Sequence, residues 1–308
     1  MATRGSYGIA EWYGRDITLM SVEERKAVAI EAVSHHSREK SKRICPFALK
    51  ETLCSKKGGV CSIRPYTAEK GEVEAQLPIV TVCPMRFLEN ADLLRWVAKT
   101  MLGTSDDVVA VKETPFLKRA GASVGDEESA KAGRIDWLLV DTASTPRRMA
   151  ALETQSLYFS GGNMRHDFDM YLTSDVLFKP PKARRPDYRS GGPKRLSPQL
   201  AVKVPLLRAW GIKMAVMVDD FFFNEMATMP EITGTNDADK LLTAEIVWFV
   251  AKYEGAHLVP SRVAYSRLDD SVIALNAAVP MSATDFAAKL DMDIAAPGNQ
   301  GKKVFNLS

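Results

Sequence analysis

The runs IDWLLV at 135–140 and MAALETQ at 149–155 flank a turn at Thr145-Pro146, which predicts two neighbouring strands. They decide the fold because they also carry polar residues that a buried sheet does not need. In an extended strand residues i and i+2 share a face, so Glu153 and Gln155 project together. If the two runs pair, Asp136 approaches Glu153. Two carboxylates plus waters are what Mg²⁺ accepts when it also binds a phosphate, and the Thr154 carbonyl is a further candidate ligand. Acidic residues at strand ends are common, and by itself the D…E-x-Q pattern is weak.

Outward from this pair, VVAV at 108–111 reads as a preceding strand, and IKMAVMV at 212–218 as one buried on both faces. Asn90 is the expected cap of a helix to Leu102, with Gly103 as its stop. Helices are expected at 163–178 and 198–210, the second opened by Ser197-Pro198 and kinked at Pro205. Ser21 and Glu24 form a capping-box pattern opening a helix to about Arg38. From residue 90 the order is then α-β-β-β-α-β, an α/β fold. FFF at 221–223 reads as core or dimer surface, and Trp96 and Trp248 as core. The acidic stretch 201–300, eight Lys/Arg against thirteen Asp/Glu, reads as supporting structure and a candidate dimer surface.

The 308 residues are 46% hydrophobic and 26% charged, which excludes a disordered or collagen-like chain. No run is long and apolar enough to span a membrane, and the start lacks the apolar core of a secretory signal. A cytoplasmic protein is expected. The net charge of +3 hides two concentrations of basic residues. Residues 36–64 hold eight Lys/Arg against two Glu, and residues 179–196 hold seven against Asp187. Two basic stretches on an otherwise acidic body predict a polyanionic partner, with nucleic acid foremost.

The four cysteines, Cys45, Cys54, Cys61 and Cys83, fall at spacing C-x8-C-x6-C-x21-C, and the rest of the chain has none. Disulfides are rare in intracellular proteins, so clustered thiols predict a tetrahedral thiolate site for zinc or iron. Gly58, Gly59 and Pro46 supply tight turns beside them. Four unrelated cysteines are the structural alternative.

IAEWYG at 9–14, ICPF at 44–47, GGVC at 58–61, VCPM at 82–85, IDW at 135–137 and LETQ at 152–155 together resemble the NotI-type restriction endonucleases, a branch of the PD-(D/E)xK nucleases. The resemblance spans about the first 155 residues and includes E-x-Q where most relatives have E-x-K. It implies a restriction-endonuclease-like core, a mixed sheet flanked by helices, with an N-terminal metal-thiolate domain. The implied division is 1–88 for the cysteine region and 89–308 for the nuclease core, with a basic DNA-binding insertion at 179–196. It further implies a structural iron on Cys45, Cys54, Cys61 and Cys83, zinc being the alternative, and catalytic roles for Asp136, Glu153 and Gln155.

On that reading Asp136 and Glu153 hold Mg²⁺, and the neutral Gln155 amide orients water or phosphate through hydrogen bonds. Arg184, Arg185, Arg189 and Arg195 are the candidates to contact DNA, and Arg reads guanine bidentately. The implied function is Type II restriction: double-stranded DNA cleaved at a GC-rich palindrome by a homodimer, alongside a methyltransferase for the same site. A non-catalytic metal-thiolate regulator and a structure-specific repair nuclease are the rival functions. Asp141 is the rival for the first carboxylate, and Glu113 a candidate outer one. His166 reads as a surface residue that is near enough for a DNA contact. His35 and His36 read as helix-end residues favoured by the dipole.

Overall fold

The computed structural model describes residues 6–37, 40–69, 72–117, 133–277, 279, 281–296, 298 and 303–305. The chain opens with β1 (Ser6–Trp12), β2 (Arg15–Asp16) and α1 (Val22–His36). The capping box of α1 is complete: Glu24 N–H donates to the Ser21 hydroxyl at 3.2 Å, and Ser21 N–H to the Glu24 carboxylate at 2.8 Å. Strands β3 (Val60–Glu69), β4 (Glu72–Ala75) and β5 (Val80–Thr81) follow. β1 lies between β2 and β3, and β4 and β5 both pair with β3.

A turn of 3₁₀ helix then leads into α2 (Asp92–Leu102). Asn90 does not cap this helix. Asn90 and Ala91 are both left-handed, at φ 51° and 58°, and Ala91 takes the cap position with no side-chain bond. Gly103 ends the helix at φ 77°, where a side chain would be strained.

The larger sheet contains β6 (Val108–Pro115), β7 (Arg134–Asp141), β8 (Met149–Thr154), β11 (Lys213–Asp219), β12 (Ile246–Glu254) and β13 (His257–Ser266). Between β8 and β11 come β9 (Tyr158–Ser160), α3 (Arg165–Tyr171), β10 (Arg185–Asp187), α4 (Tyr188–Gly191) and α5 (Ser197–Ala209). The remaining helices are α6 (Asp220–Asn224), α7 (Asp237–Thr243), α8 (Leu268–Leu275) and α9 (Ala283–Ala295). The sheet order is β13-β12-β11-β8-β7-β6. β8, β11 and β12 run parallel, and the flanking pairs are antiparallel.

Alternation along β11 explains the layers. Met214, Val216 and Val218 face a core shared with Leu200, Val204 and Leu207 of α5, while Ala215 and Met217 face Leu93, Leu94 and Val97 of α2. The α5-side core also takes in Ile9 and Trp12 of β1 and Val28 of α1, so the N-terminal sheet packs into the same apolar interior.

Two further stretches differ from the sequence expectation. The helix expected at 163–178 stops at Tyr171, because Thr173 and Ser174 turn back onto the Met170 carbonyl and the Ser174 hydroxyl donates to Val176. The basic stretch 179–196 is largely regular: β10 pairs with β9, and a turn of π helix runs from Gly192 straight into α5 without a Ser197 cap. β12 and β13 occupy what read as supporting structure, and their own pairing completes one edge of the sheet. Phe222 is fully buried in α6, and Phe221 and Phe223 pack against the same core. Trp248 is fully buried, and Trp96 packs edge-on against Phe249.

Candidate functional site

The β7–β8 register pairs Trp137 with Leu152 and Leu138 with Ala151, which sets Asp136 and Glu153 opposite one another at the next step. Both point to the α5 side of the sheet. The Asp136 N–H donates to Glu153 Oε1 at 3.3 Å, while Thr154 donates to Asp136 Oδ2 from its N–H at 3.0 Å and its hydroxyl at 3.2 Å. Burial, and then the facing Asp136 carboxylate, push Glu153 up to about 7. Two carboxylates that resist joint ionisation form a donor set that a divalent cation would relieve, so the residues present fit such an ion.

Gln155 continues the strand: its N–H donates to the Met217 carbonyl of β11 at 2.9 Å. Its side-chain amide donates to the Ser156 carbonyl at 2.6 Å. Asp136, Glu153 and Gln155 line one cavity of about 440 Å³, the three residues that the sequence singled out. Lys56, Cys83, Tyr158 and Arg195 form its other walls. Glu113 also borders it, ion-paired to Arg134 at 2.9 Å and beside Lys112, the cation that chiefly lowers its pKa.

Lys203 is the residue that sequence reading missed. It projects from α5 with 5% of its surface exposed, and its ammonium sits 2.6 Å from Glu153 Oε1. The available signal was a lysine on the apolar face of the 197–209 helix, three residues after Leu200 and next to Val204. A charged group at that position has to find a buried partner.

Asp141 lies outside this cavity. Its carboxylate takes Arg148 at 2.6 Å and the Ala143 N–H at 3.0 Å, fixing the β7–β8 turn. His166 is exposed on α3. His35 and His36 lie in the last turn of α1, as expected, but His35 is buried, its Nδ1 lies 3.1 Å from the Tyr13 hydroxyl, and burial lowers its pKa.

Of the four arginines expected at DNA, Arg184 is corrected by its surroundings. It is fully buried, bonded to Asp167 at 2.8 and 2.9 Å, and donates to the Tyr7, Gly162 and Asn163 carbonyls. Its donors are spent inside the protein. Arg185, Arg189 and Arg195 are exposed. Arg185 and Arg189 line a second hollow of about 1120 Å³, and Arg195 lies 4.4 Å over the Tyr158 ring.

The cysteine segment folds as two short ties. Cys45 N–H donates to the Thr52 carbonyl and Cys54 N–H to the Arg43 carbonyl, each at 2.8 Å, around an Ile44–Leu53 bridge. Cys61 opens β3, and Cys83 N–H donates to the Cys61 carbonyl at 3.1 Å. Gly58 and Gly59 are left-handed, and a Cβ would meet Phe168 or Tyr13 at 2.4 and 2.3 Å, so only glycine fits. All four thiols are free. Burial raises Cys61 and Cys83 and lifts Cys54 to about 11, and Cys45 and Cys83 add to the rise of Cys54. The sulfurs are therefore electrostatic neighbours. Among the described residues, however, no group of three or more His, Cys, Asp or Glu side chains is placed to hold a metal ion.

Among the described residues no helix is long and apolar enough to cross a membrane. No curated protein and no solved structure matches the chain. The family model described as restriction endonuclease NotI matches residues 28–260, which include all four cysteines, both carboxylates and Gln155. With well over half of its length matched, the chain belongs to the NotI restriction endonuclease family, and is a site-specific deoxyribonuclease.

Proposed function

We propose that the chain makes a Mg²⁺-dependent double-strand cut at a GC-rich palindrome, acting as a homodimer beside a cytoplasmic methyltransferase for the same site. The carrying observation is the antiparallel register that sets Asp136 opposite Glu153 at the wall of a cavity. Asp136 and Glu153 would hold the cation, and a cation bound there polarises the phosphate and makes a water more acidic. Gln155 orients that water: one amide N–H is held by the Ser156 carbonyl, which fixes the side chain, and its own carbonyl is open to accept a water O–H. The neutral amide takes no proton, so the proton leaves through solvent or a DNA phosphate.

Arg185, Arg189 and Arg195 are the residues that would meet the duplex, where arginine pairs with guanine O6 and N7. Cys45, Cys54, Cys61 and Cys83 would hold a structural iron, or zinc, once the thiols are deprotonated. The support is thiolate donor chemistry and the confinement of all four cysteines to residues 45–83.

Incubating purified protein with phage-sized DNA and Mg²⁺ tests the reading. Discrete fragments with identical ends are expected. A smear, or cutting only at mismatches and flaps, refutes it.

A further inference from the structure

Each carboxylate of the pair is tied to the protein by one oxygen. Glu153 Oε1 accepts the Lys203 ammonium at 2.6 Å and the Asp136 N–H at 3.3 Å. Asp136 Oδ2 accepts both donors of Thr154. Among the described residues no hydrogen bond reaches Glu153 Oε2 or Asp136 Oδ1. The other cations around the cavity are engaged elsewhere: Lys56 on the Val82 carbonyl, Lys112 on Glu113 and Arg195 on Tyr158. Lys203 does not line the cavity, but its second partner does: Gln199 Oε1 accepts the ammonium at 2.9 Å. A buried lysine held between an active-site carboxylate and a wall residue of the same cavity does more than fill the core. Its apolar neighbours Leu200 and Val204 could have been joined by another leucine without desolvating a charge.

We propose that Lys203 is a positioning residue of the hydrolytic site: it clamps Glu153 by Oε1, so that Oε2 is presented to the cavity as a fixed ligand oxygen. Gln199 keeps the ammonium in line from the helix side. The strand supplies the carboxylates and the neutral Gln155, and α5 supplies the positive charge. This rests on the reading of Asp136 and Glu153 as the hydrolytic pair.

Full-length Lys203→Met, Lys203→Arg and Glu153→Ala are compared on a fragment the native protein cuts. Lys203→Met is expected to lower kcat about 100-fold, the scale of a misplaced catalytic group. KM for DNA and Ca²⁺-supported DNA binding should stay within about twofold of native, as for a group acting after binding. Lys203→Arg, which keeps the charge, should cut about tenfold faster than Lys203→Met. Should Lys203→Met fail to fold, Lys203→Gln replaces it with the same expected split. Native kcat in the charge-neutral variants overturns the proposal. So does a loss of DNA binding that tracks a fall in melting temperature in the arginine variant as well, since that marks a purely structural lysine. Native cutting by Glu153→Ala instead overturns the underlying reading of the site.

Discussion

Glu153 sits where burial and the facing Asp136 carboxylate both resist its ionisation, which lifts its pKa from 4.5 to about 7. The folded, metal-free chain therefore binds this proton more tightly than the unfolded chain. The stability that the proton contributes is fully present below pH 4.5 and is lost as pH rises through about 7. A divalent cation must expel the same proton below that pH. Cleavage at limiting Mg²⁺ is expected to fall roughly tenfold per pH unit on the acid side, with saturating Mg²⁺ moving the limb to lower pH. A rate that stays flat from pH 7 to pH 5 at limiting Mg²⁺ would contradict this. Replacing Glu153 by Ala removes the ligand oxygen, so cleavage should drop by about three orders of magnitude or more, while specific binding in Ca²⁺ persists. A gel-shift assay run beside a cleavage assay separates the two.

At the scale of elements, the 179–196 stretch is a packed ribbon and helix entry rather than a loop. Arg184 anchors it, locking β10 to α3 through Asp167 and to β1 through the Tyr7 carbonyl. Arg184→Ala leaves Asp167 buried and unpaired, and should destabilise the fold by about 3–5 kcal/mol. Arg185→Ala, one residue away and exposed, should leave the melting temperature unchanged while weakening DNA binding. Equal melting curves for the two variants would show the ion pair to be dispensable. The cysteine ties pose a parallel test. If the proposed thiolate site forms, about one equivalent of iron should accompany the purified protein, since four thiolates would complete a tetrahedral shell. Cys61→Ser should unfold the N-terminal region. Fully active, metal-free protein excludes the site.

At the scale of the whole molecule, a palindromic site requires two identical surfaces related by a dyad. Arg185 and Arg189 line one hollow and Arg195 the other, and the β9–β10 ribbon contributes residues to both. Changing a base-reading arginine to Ala should cost about 1–3 kcal/mol and relax preference at one base pair. Changing a phosphate contact should weaken all sequences alike and reduce the salt slope by about one. Binding measured against single-base variants at several salt concentrations assigns each arginine. If all three changes leave affinity and preference untouched, the reader lies elsewhere on the chain.

The local signals in the sequence were enough for the elements nearest the chemistry. Alternation and turn residues placed β6, β7, β8 and β11, the serine-glutamate capping pair opened α1, and spacing put Asp136 across from Glu153, because strand periodicity is a property of the backbone alone. The phrases around the cysteines and LETQ pointed to the family, which the match over residues 28–260 shows. What the tertiary structure decided is where long-range partners fall. Arg184 looks like any other arginine of its basic run until Asp167 and three backbone carbonyls close around it. Asn90 yielded its expected cap to a left-handed turn. Strands β12 and β13 carry no polar signature of their own, and they become sheet by pairing with β11 and with each other. Lys203 reads as one charge on a helix, and only the packing of α5 against β8 sets its ammonium against Glu153. Charge partners brought from distant positions leave no local trace, since nothing in a residue's neighbours along the chain records which side chain burial will set beside it.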